Sequence, residues 1–96
     1  MVNNMVRLNI SLIVEKDENR KPLTEAVVEL LELTMHEKGC IDYDLYGSLI
    51  NNDRMLIYET WQDKTSLKAH MESEHFKRLV PRIQELSTMT LEEFDF

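Results

Sequence analysis

Hydrophobic and polar residues alternate in four separate segments of the chain. The first runs from Val6 to Val14, where every second residue is aliphatic and most of the residues between are polar. Similar alternation covers residues 40–50, 54–61 and 88–96. Because successive side chains of a β-strand point to opposite faces of a sheet, each segment is predicted to be a strand.

Two other segments repeat hydrophobic residues every three or four positions, as an amphipathic helix does. The first contains Leu23 and is predicted to end at Gly39, because glycine readily adopts the left-handed conformation that closes many helices. The second begins after Asp63, a suitable N-cap, and Ser73 is a second helix start within it. Pro81 is compatible with this segment only at a kink or a break.

The predicted order of elements is therefore β-α-β-β-α-β, in one domain that spans residues 1–96. With right-handed connections this order gives an α+β, ferredoxin-like fold, in which two helices cover one face of a four-stranded antiparallel sheet. The other face is predicted to carry Ile13, Met55, Ile57 and Trp61. Since a large apolar face is rarely exposed in a monomer, a second sheet or a ligand is expected to cover it.

Composition excludes several classes of function. The net charge of −7 argues against nucleic-acid binding, which needs basic patches. Two glycines are too few for a GxGxxG fingerprint, and a P-loop motif is absent, so no nucleotide or flavin cofactor is expected. No apolar run approaches the roughly 20 residues of a membrane span, and no leader pattern is seen. We therefore expect a cytoplasmic protein without a membrane partner.

The stretches "EKGCIDYDLY" and "LIYETWQDKTSLKAHMESEHF" resemble the antibiotic biosynthesis monooxygenase family. The resemblance covers about Gly39 to Phe76. It implies a dimeric α+β barrel, a homodimer whose two sheets face each other, with a pocket between the sheet and helices of each protomer. Members of this family include cofactor-independent oxygenases of phenols and hydroquinones, haem-degrading enzymes, and an isomerase of a phosphorylated sugar derivative. The fold is therefore specified more narrowly than the reaction.

His70 and His75 are the candidate proton-transfer residues, because imidazole titrates near neutral pH. On a continuous helix their five-residue separation places them about 140° apart. A break at Ser73 could realign them, but the sequence offers no evident third ligand. A metal site is therefore not expected. The resemblance implies a histidine on the pocket side, which favours His70 as the base, followed by His75.

Trp61 and Glu59 share one face of the third predicted strand. Trp61 fits either a core aromatic or a pocket wall, and the resemblance favours the pocket wall, with the indole holding a substrate oxygen. A buried carboxylate needs a partner, so Glu59 is expected to pair with Arg7 or Arg54. The second interpretation is an acid or base with a raised pKa.

Asn9 lies on the polar face of the first strand. In haem-degrading relatives an asparagine on this strand cooperates with the tryptophan of the third strand and a helix histidine, so the resemblance implies that Asn9 and Trp61 hold oxygens of the substrate. The axial histidine expected about one turn after Phe76 is replaced by Val80, which argues against haem. Met55, Ile57 and Phe76 are expected to exclude water from the pocket.

The sequence thus predicts a monooxygenase that oxidises a small aromatic hydroquinone or phenol with O2, without metal, haem or flavin. Two alternatives remain. One is an isomerase of a small carbonyl compound, with or without a phosphate group, for which Arg7, Arg54 or Arg82 would be the cationic anchor. The other is a non-catalytic, dimeric ligand-binding or stress-response protein, in which the pocket is only a core cavity.

Overall fold

The computed structural model describes residues 4–96. The four predicted strands are present, and the second helical segment is divided into two helices. The elements are β1 (Val6–Ile13), α1 (Arg20–Thr34), β2 (Cys40–Gly47), β3 (Arg54–Trp61), α2 (Lys64–Met71), α3 (Glu74–Leu86) and β4 (Thr88–Asp95), with a short 3-10 turn at Asp17–Asn19 before α1.

The strands form one antiparallel sheet in the order β2-β3-β1-β4. This order confirms the α+β, ferredoxin-like fold, with β1 and β3 as the central strands. The aliphatic face of β1, which includes Leu8 and Ile10, packs in one core with Leu30 of α1 and Ile83 of α3. All three helices therefore serve a single hydrophobic core on one side of the sheet.

The prediction for the faces of β3 was wrong. In the register of β1 and β3, Val6 lies opposite Trp61 and Leu12 lies opposite Met55. Residues directly opposite each other on antiparallel strands share a face, so Met55, Ile57 and Trp61 point towards the helices rather than away from them. Of the four predicted residues, only Ile13 lies on the uncovered face.

The uncovered face of the sheet combines polar and aromatic side chains. The guanidinium group of Arg7 lies 4.6 Å from the ring centre of Tyr58 and 5.0 Å from that of Phe96. Its Nε donates a hydrogen bond of 3.3 Å to Oγ1 of Thr60. Phe94 is half exposed on the same face. This face is therefore less aliphatic than the sequence predicted, although it still exposes large aromatic rings.

The break in the second helical segment occurs at Ser73. Its Oγ accepts a hydrogen bond from the backbone N–H of Phe76 and donates one of 2.6 Å to the carbonyl oxygen of His70. Ser73 thus caps α3 and fixes the end of α2. Pro81, in contrast, lies inside α3 without ending it. The carbonyl group that Pro81 leaves without a helical partner belongs to Lys77, which is exposed and can bond water.

Two connections differ from the sequence prediction. Helix α1 ends at Thr34, more than one turn before Gly39, and a turn joins it to β2. Gly39 does adopt a positive φ of 86°. Strand β2 ends at Gly47, and Leu49 and Ile50 are exposed in the hairpin that follows. Within residues 4–96, no helix is both long enough and apolar enough to cross a membrane.

Candidate functional site

A partly enclosed cavity of about 70 Å³ lies between the sheet and the helices. This volume exceeds the roughly 10–15 Å³ that one water molecule needs. Ile57 and Phe76 contribute to an almost entirely apolar wall. Three side chains with polar groups also line the cavity, namely Tyr43, Glu59 and His70. The cavity therefore offers a few hydrogen-bonding groups in a site that excludes most water, as is typical of small-molecule pockets.

The His70 ring is held by two aromatic rings and by a hydrogen bond to a carboxylate. Its ring lies 4.7 Å from that of Trp61, measured between centroids, and 5.1 Å from that of Phe76 in an edge-to-face arrangement. Its Nδ1 lies 2.6 Å from Oε2 of Glu37. Because an ionised carboxylate can only accept, Nδ1 carries the hydrogen and Nε2 keeps a lone pair. The two ring nitrogens point in divergent directions, so Nε2 faces away from Glu37.

Burial lowers the pKa of His70, and the hydrogen bond and charge of Glu37 only partly oppose this effect. The side chain is almost completely inaccessible to solvent. An imidazole with a lowered pKa is neutral at neutral pH, which is the form that a general base requires. The position and protonation of His70 therefore suit it to accept a proton from a molecule in the cavity.

His75 contacts the same carboxylate. Its Nε2 lies 3.0 Å from Oε2 of Glu37, and it does not line the cavity. The helix break at Ser73 allows this arrangement, since it places two histidines five residues apart on different helices. His75 therefore lies beside His70, with 6.0 Å between the ring centroids, and shares its carboxylate, but it does not reach the cavity.

The prediction that the histidines have no third potential metal ligand was wrong. One ligand atom each from Glu37, His70 and His75 lies within 4.8 Å of the others, and this donor set is one that zinc and iron accept. The observed distances of 2.6 and 3.0 Å are those of hydrogen bonds, in which the carboxylate accepts from one ring nitrogen of each imidazole.

Glu59 is almost fully buried, and its partner is not an arginine. The indole Nε1–H of Trp61 donates a hydrogen bond of 2.8 Å to Oε1 of Glu59. Arg7 lies on the opposite face of the sheet and Arg54 is exposed, so the expected arginine pair was wrong. Burial raises the pKa of Glu59 to about 7, and the hydrogen bond from Trp61 offsets only part of this rise. The carboxyl group can therefore gain or lose a proton near neutral pH.

Tyr43 is a site residue that the sequence analysis did not select. Burial and the neighbouring Glu59 carboxylate raise the pKa of Tyr43 well above its usual range, so its hydroxyl group stays protonated. Its ring contacts the edge of His70, with 6.2 Å between the centroids. The available signal was its inward position in the alternating β2 segment, which by itself suggests only a core residue.

The remaining predicted residues are divided between two environments. Trp61 and Met55 are buried behind the cavity wall rather than lining it. Asn9 points to the uncovered face, because it alternates with Leu8 and Ile10 along β1. Within residues 4–96 its buried Oδ1 has no hydrogen-bond partner. Asn9 and Trp61 therefore do not meet in one chamber of the protomer.

The fold is shared with proteins of known structure. A conserved protein of unknown function from Bacteroides thetaiotaomicron, described as a possible oxidoreductase, is 42% identical, with a TM-score of 0.94 over 99% of this chain and 100% of that one. A conserved protein from Methanosarcina mazei is 31% identical, with a TM-score of 0.85 over 97% of this chain and 91% of that one.

Sequence comparisons agree with this structural similarity. YcnE of Bacillus subtilis, named as a presumed monooxygenase, is 27% identical over 77 residues, which cover 80% of this chain and 81% of YcnE. The sequence profile of the family named antibiotic biosynthesis monooxygenase matches residues 5–82. The chain therefore belongs to the antibiotic biosynthesis monooxygenase family.

Proposed function

We propose that this protein is a monooxygenase that oxidises a small aromatic hydroquinone or phenol with O2, using no metal, haem or flavin. The observation that carries the proposal is the position of His70. One ring nitrogen is anchored on Glu37, and the ring lines an apolar cavity. A neutral imidazole in this position can take the proton of a phenolic hydroxyl group.

The reaction then depends on the substrate. His70 Nε2 accepts the phenolic proton, and the phenolate transfers one electron to O2. The two radicals combine at a ring carbon that bears hydrogen, and the peroxide breaks at its O–O bond. One oxygen atom becomes a quinone carbonyl oxygen, and the other leaves as water with the proton that His70 returns and the hydrogen of the ring carbon. Phenol and O2 are thereby converted to quinone and water, with all atoms accounted for.

The other residues around the cavity support this chemistry. Ile57 and Phe76 exclude water, which would otherwise compete for the phenolate and the peroxide. Glu59, with a pKa raised to about 7, and the neutral hydroxyl group of Tyr43 are suited to hold the oxygens of substrate or peroxide. The family resemblance predicts that the indole of Trp61 holds an oxygen, but its N–H already bonds Glu59. Glu59 takes that position in this proposal.

The charge of the cavity favours a phenol over a phosphorylated carbonyl compound. An isomerase of the latter would need a cationic anchor, and none of Arg7, Arg54 and Arg82 lines the cavity. The Glu59 carboxylate would instead repel a phosphate group. A neutral ring that carries hydroxyl groups matches both the apolar wall and the acceptor at Glu59.

We also propose that two protomers associate through the uncovered sheet face. Three aromatic side chains, Tyr46, Phe94 and Phe96, are about half exposed in or beside this face. Burying such rings is favourable, at about 25 cal/mol per Å² of apolar surface. A cytoplasmic location and a single domain over residues 1–96 remain predictions.

The test measures O2 consumption by purified protein that is free of metal and flavin, with a panel of hydroquinones and phenols. We expect turnover above the rate of spontaneous oxidation, and a fall of about 10²- to 10⁴-fold in His70→Asn. His36→Asn, at an exposed histidine, is the matched control and should keep full activity. No consumption above background across the panel would refute the proposal. Equal rates above background for both variants would show that His70 is not the base.

A further inference from the structure

The following inference rests on the proposed function, in which His70 is the base. The base must receive the proton at Nε2 and return it from the same atom. Nδ1 must therefore stay protonated throughout the reaction. If its hydrogen shifted to Nε2, Nε2 would lose the lone pair that accepts the substrate proton. Something in the structure must therefore fix the tautomer of a ring that is buried in an apolar environment.

Glu37 lies where this requirement is met. Its Oε2 is 2.6 Å from Nδ1 of His70, and it does not line the cavity. The carboxylate accepts the Nδ1 hydrogen in the resting state and lies next to the positive charge that His70 carries after taking the proton. A carboxylate that orients a catalytic histidine in this way is known to contribute strongly to rate in unrelated hydrolases.

His75 completes the arrangement from the side nearer solvent. Its Nε2 is 3.0 Å from the same Oε2, and its side chain is 17% exposed, against 2% for His70. A second hydrogen bond to one carboxylate oxygen restricts the rotation of Glu37. His75 can therefore act on the reaction through Glu37, although it does not face the cavity.

We propose that Glu37 is a positioning residue that fixes the Nδ1–H tautomer of His70 and stabilises its protonated form, and that His75 is a positioning residue for Glu37 rather than an alternative base. His70 alone exchanges a proton with the substrate. The triad is assembled by the turn at Gly39, which carries Glu37, and by the helix break at Ser73.

The first test uses the resting protein and does not depend on activity. Long-range ¹H–¹⁵N correlation spectra report which ring nitrogen of each histidine carries hydrogen. We expect the Nδ1–H tautomer for His70 in the wild type and in His75→Gln, and a mixture of tautomers in Glu37→Gln. Glu72→Gln is the control, since it removes an exposed carboxylate between the two histidines. An unchanged tautomer in Glu37→Gln would overturn the proposal.

The second test separates turnover from binding. Because Glu37 does not line the cavity, Glu37→Gln should lower kcat at least tenfold with little change in KM. The acid limb of the kcat profile should move to lower pH, because Glu37 raises the pKa of His70. The other titratable groups facing His70, which are Glu59, Tyr43 and His75, are unchanged in this variant. Glu37→Asp, with the charge retained, should recover part of the rate.

Three results would contradict the assignment of roles. If His75→Gln lost as much activity as His70→Asn while Glu37→Gln stayed active, His75 would be the base. If the wild type bound Zn²⁺ stoichiometrically and Glu37→Gln did not, Nδ1 would serve a metal instead of the carboxylate. The third result combines two variants. If circular dichroism showed a folding defect in Glu37→Gln, and Glu37→Asp kept the wild-type tautomer of His70 but had no activity, the role of Glu37 would be structural. If wild-type protein consumed no O2, the tautomer measurement would still decide this proposal by itself.

Discussion

The indole N–H of Trp61 donates a hydrogen bond to Glu59 over 2.8 Å, between side chains that follow each other on the inward face of β3. The ring of the same tryptophan packs against His70. One buried aromatic residue therefore contacts both the proposed base and the carboxyl group whose pKa is raised to about 7. This explains how a carboxylate is tolerated in an otherwise apolar layer, since its charge has a donor within the same strand.

Trp61→Phe should separate the hydrogen bond from the packing. Phenylalanine keeps a ring beside His70 but removes the donor, so the pKa of Glu59 should rise further. The free energy of unfolding should fall by about 1–3 kcal/mol more at pH 8, where Glu59 is ionised, than at pH 5, where it is protonated. Urea denaturation at both pH values measures the difference. An equal loss at both would attribute the effect to packing alone.

Glu59→Gln should remove a pH dependence of stability. The folded-state pKa of Glu59 is raised from 4.5 to about 7, so the folded protein binds the proton more tightly than the unfolded chain. The stability that this group contributes is fully present below pH 4.5 and is lost as the pH rises through about 7. The loss amounts to about 3 kcal/mol.

The difference between wild type and Glu59→Gln isolates this effect. His70, whose pKa is lowered, acts with the opposite sign and loses its contribution as the pH falls, but it is present in both proteins. Glu32→Gln, at an exposed position on α1, should follow the wild type. Parallel curves for wild type and Glu59→Gln between pH 4.5 and 8 would show that Glu59 ionises freely in the folded protein.

Gly39→Ala should destabilise the protein strongly. The φ of 86° is unfavourable for alanine by about 1–2 kcal/mol, and a Cβ would lie only 2.1 Å from Oγ of Ser66. Gly47→Ala is the matched control, because nothing lies within 4 Å of its Cβ position. Thermal unfolding should show a clear drop in Tm for the first variant and a small change for the second. Similar Tm values for the two would mean that the turn relaxes.

Phe94→Glu should weaken the proposed dimer. It places a charge on the uncovered sheet face at a position where a half-exposed aromatic ring is available for burial. Light scattering coupled to size-exclusion chromatography should give a monomer mass for this variant and a dimer mass for the wild type. Leu33→Glu, at an exposed position on α1, should remain dimeric. A wild type that is monomeric at micromolar concentration would refute the dimer.

The order of elements was predictable because each strand and helix shows its own period in the sequence. The sequence did not predict which face of β3 points towards the helices. This strand has hydrophobic residues on both faces, with Leu56 and Tyr58 on one and Ile57 and Trp61 on the other. Alternation shows which residues share a face, but the register with β1 decides which face is buried, and that register is a long-range property.

The site was only partly predictable, because some of its contacts are also long-range. The histidines, Trp61 and Glu59 could be selected by their chemistry and by resemblance. The contact of Glu37 with His70 joins residues 33 positions apart and depends on a turn whose geometry no local pattern specifies. The alignment of the two histidines required the helix break at Ser73, which the sequence indicated only as a second helix start.

That break also sets a strict rule for the length of the chain between the imidazoles. Each residue inserted between His70 and Ser73 would turn the end of α2 by about 100° before α3 begins, and each one inserted after Ser73 would rotate His75 by the same angle. Only the present number of residues between the two histidines brings both imidazoles to Glu37. A substitution at the exposed Glu72 would keep this spacing, whereas a single insertion or deletion would separate the imidazoles from their shared acceptor.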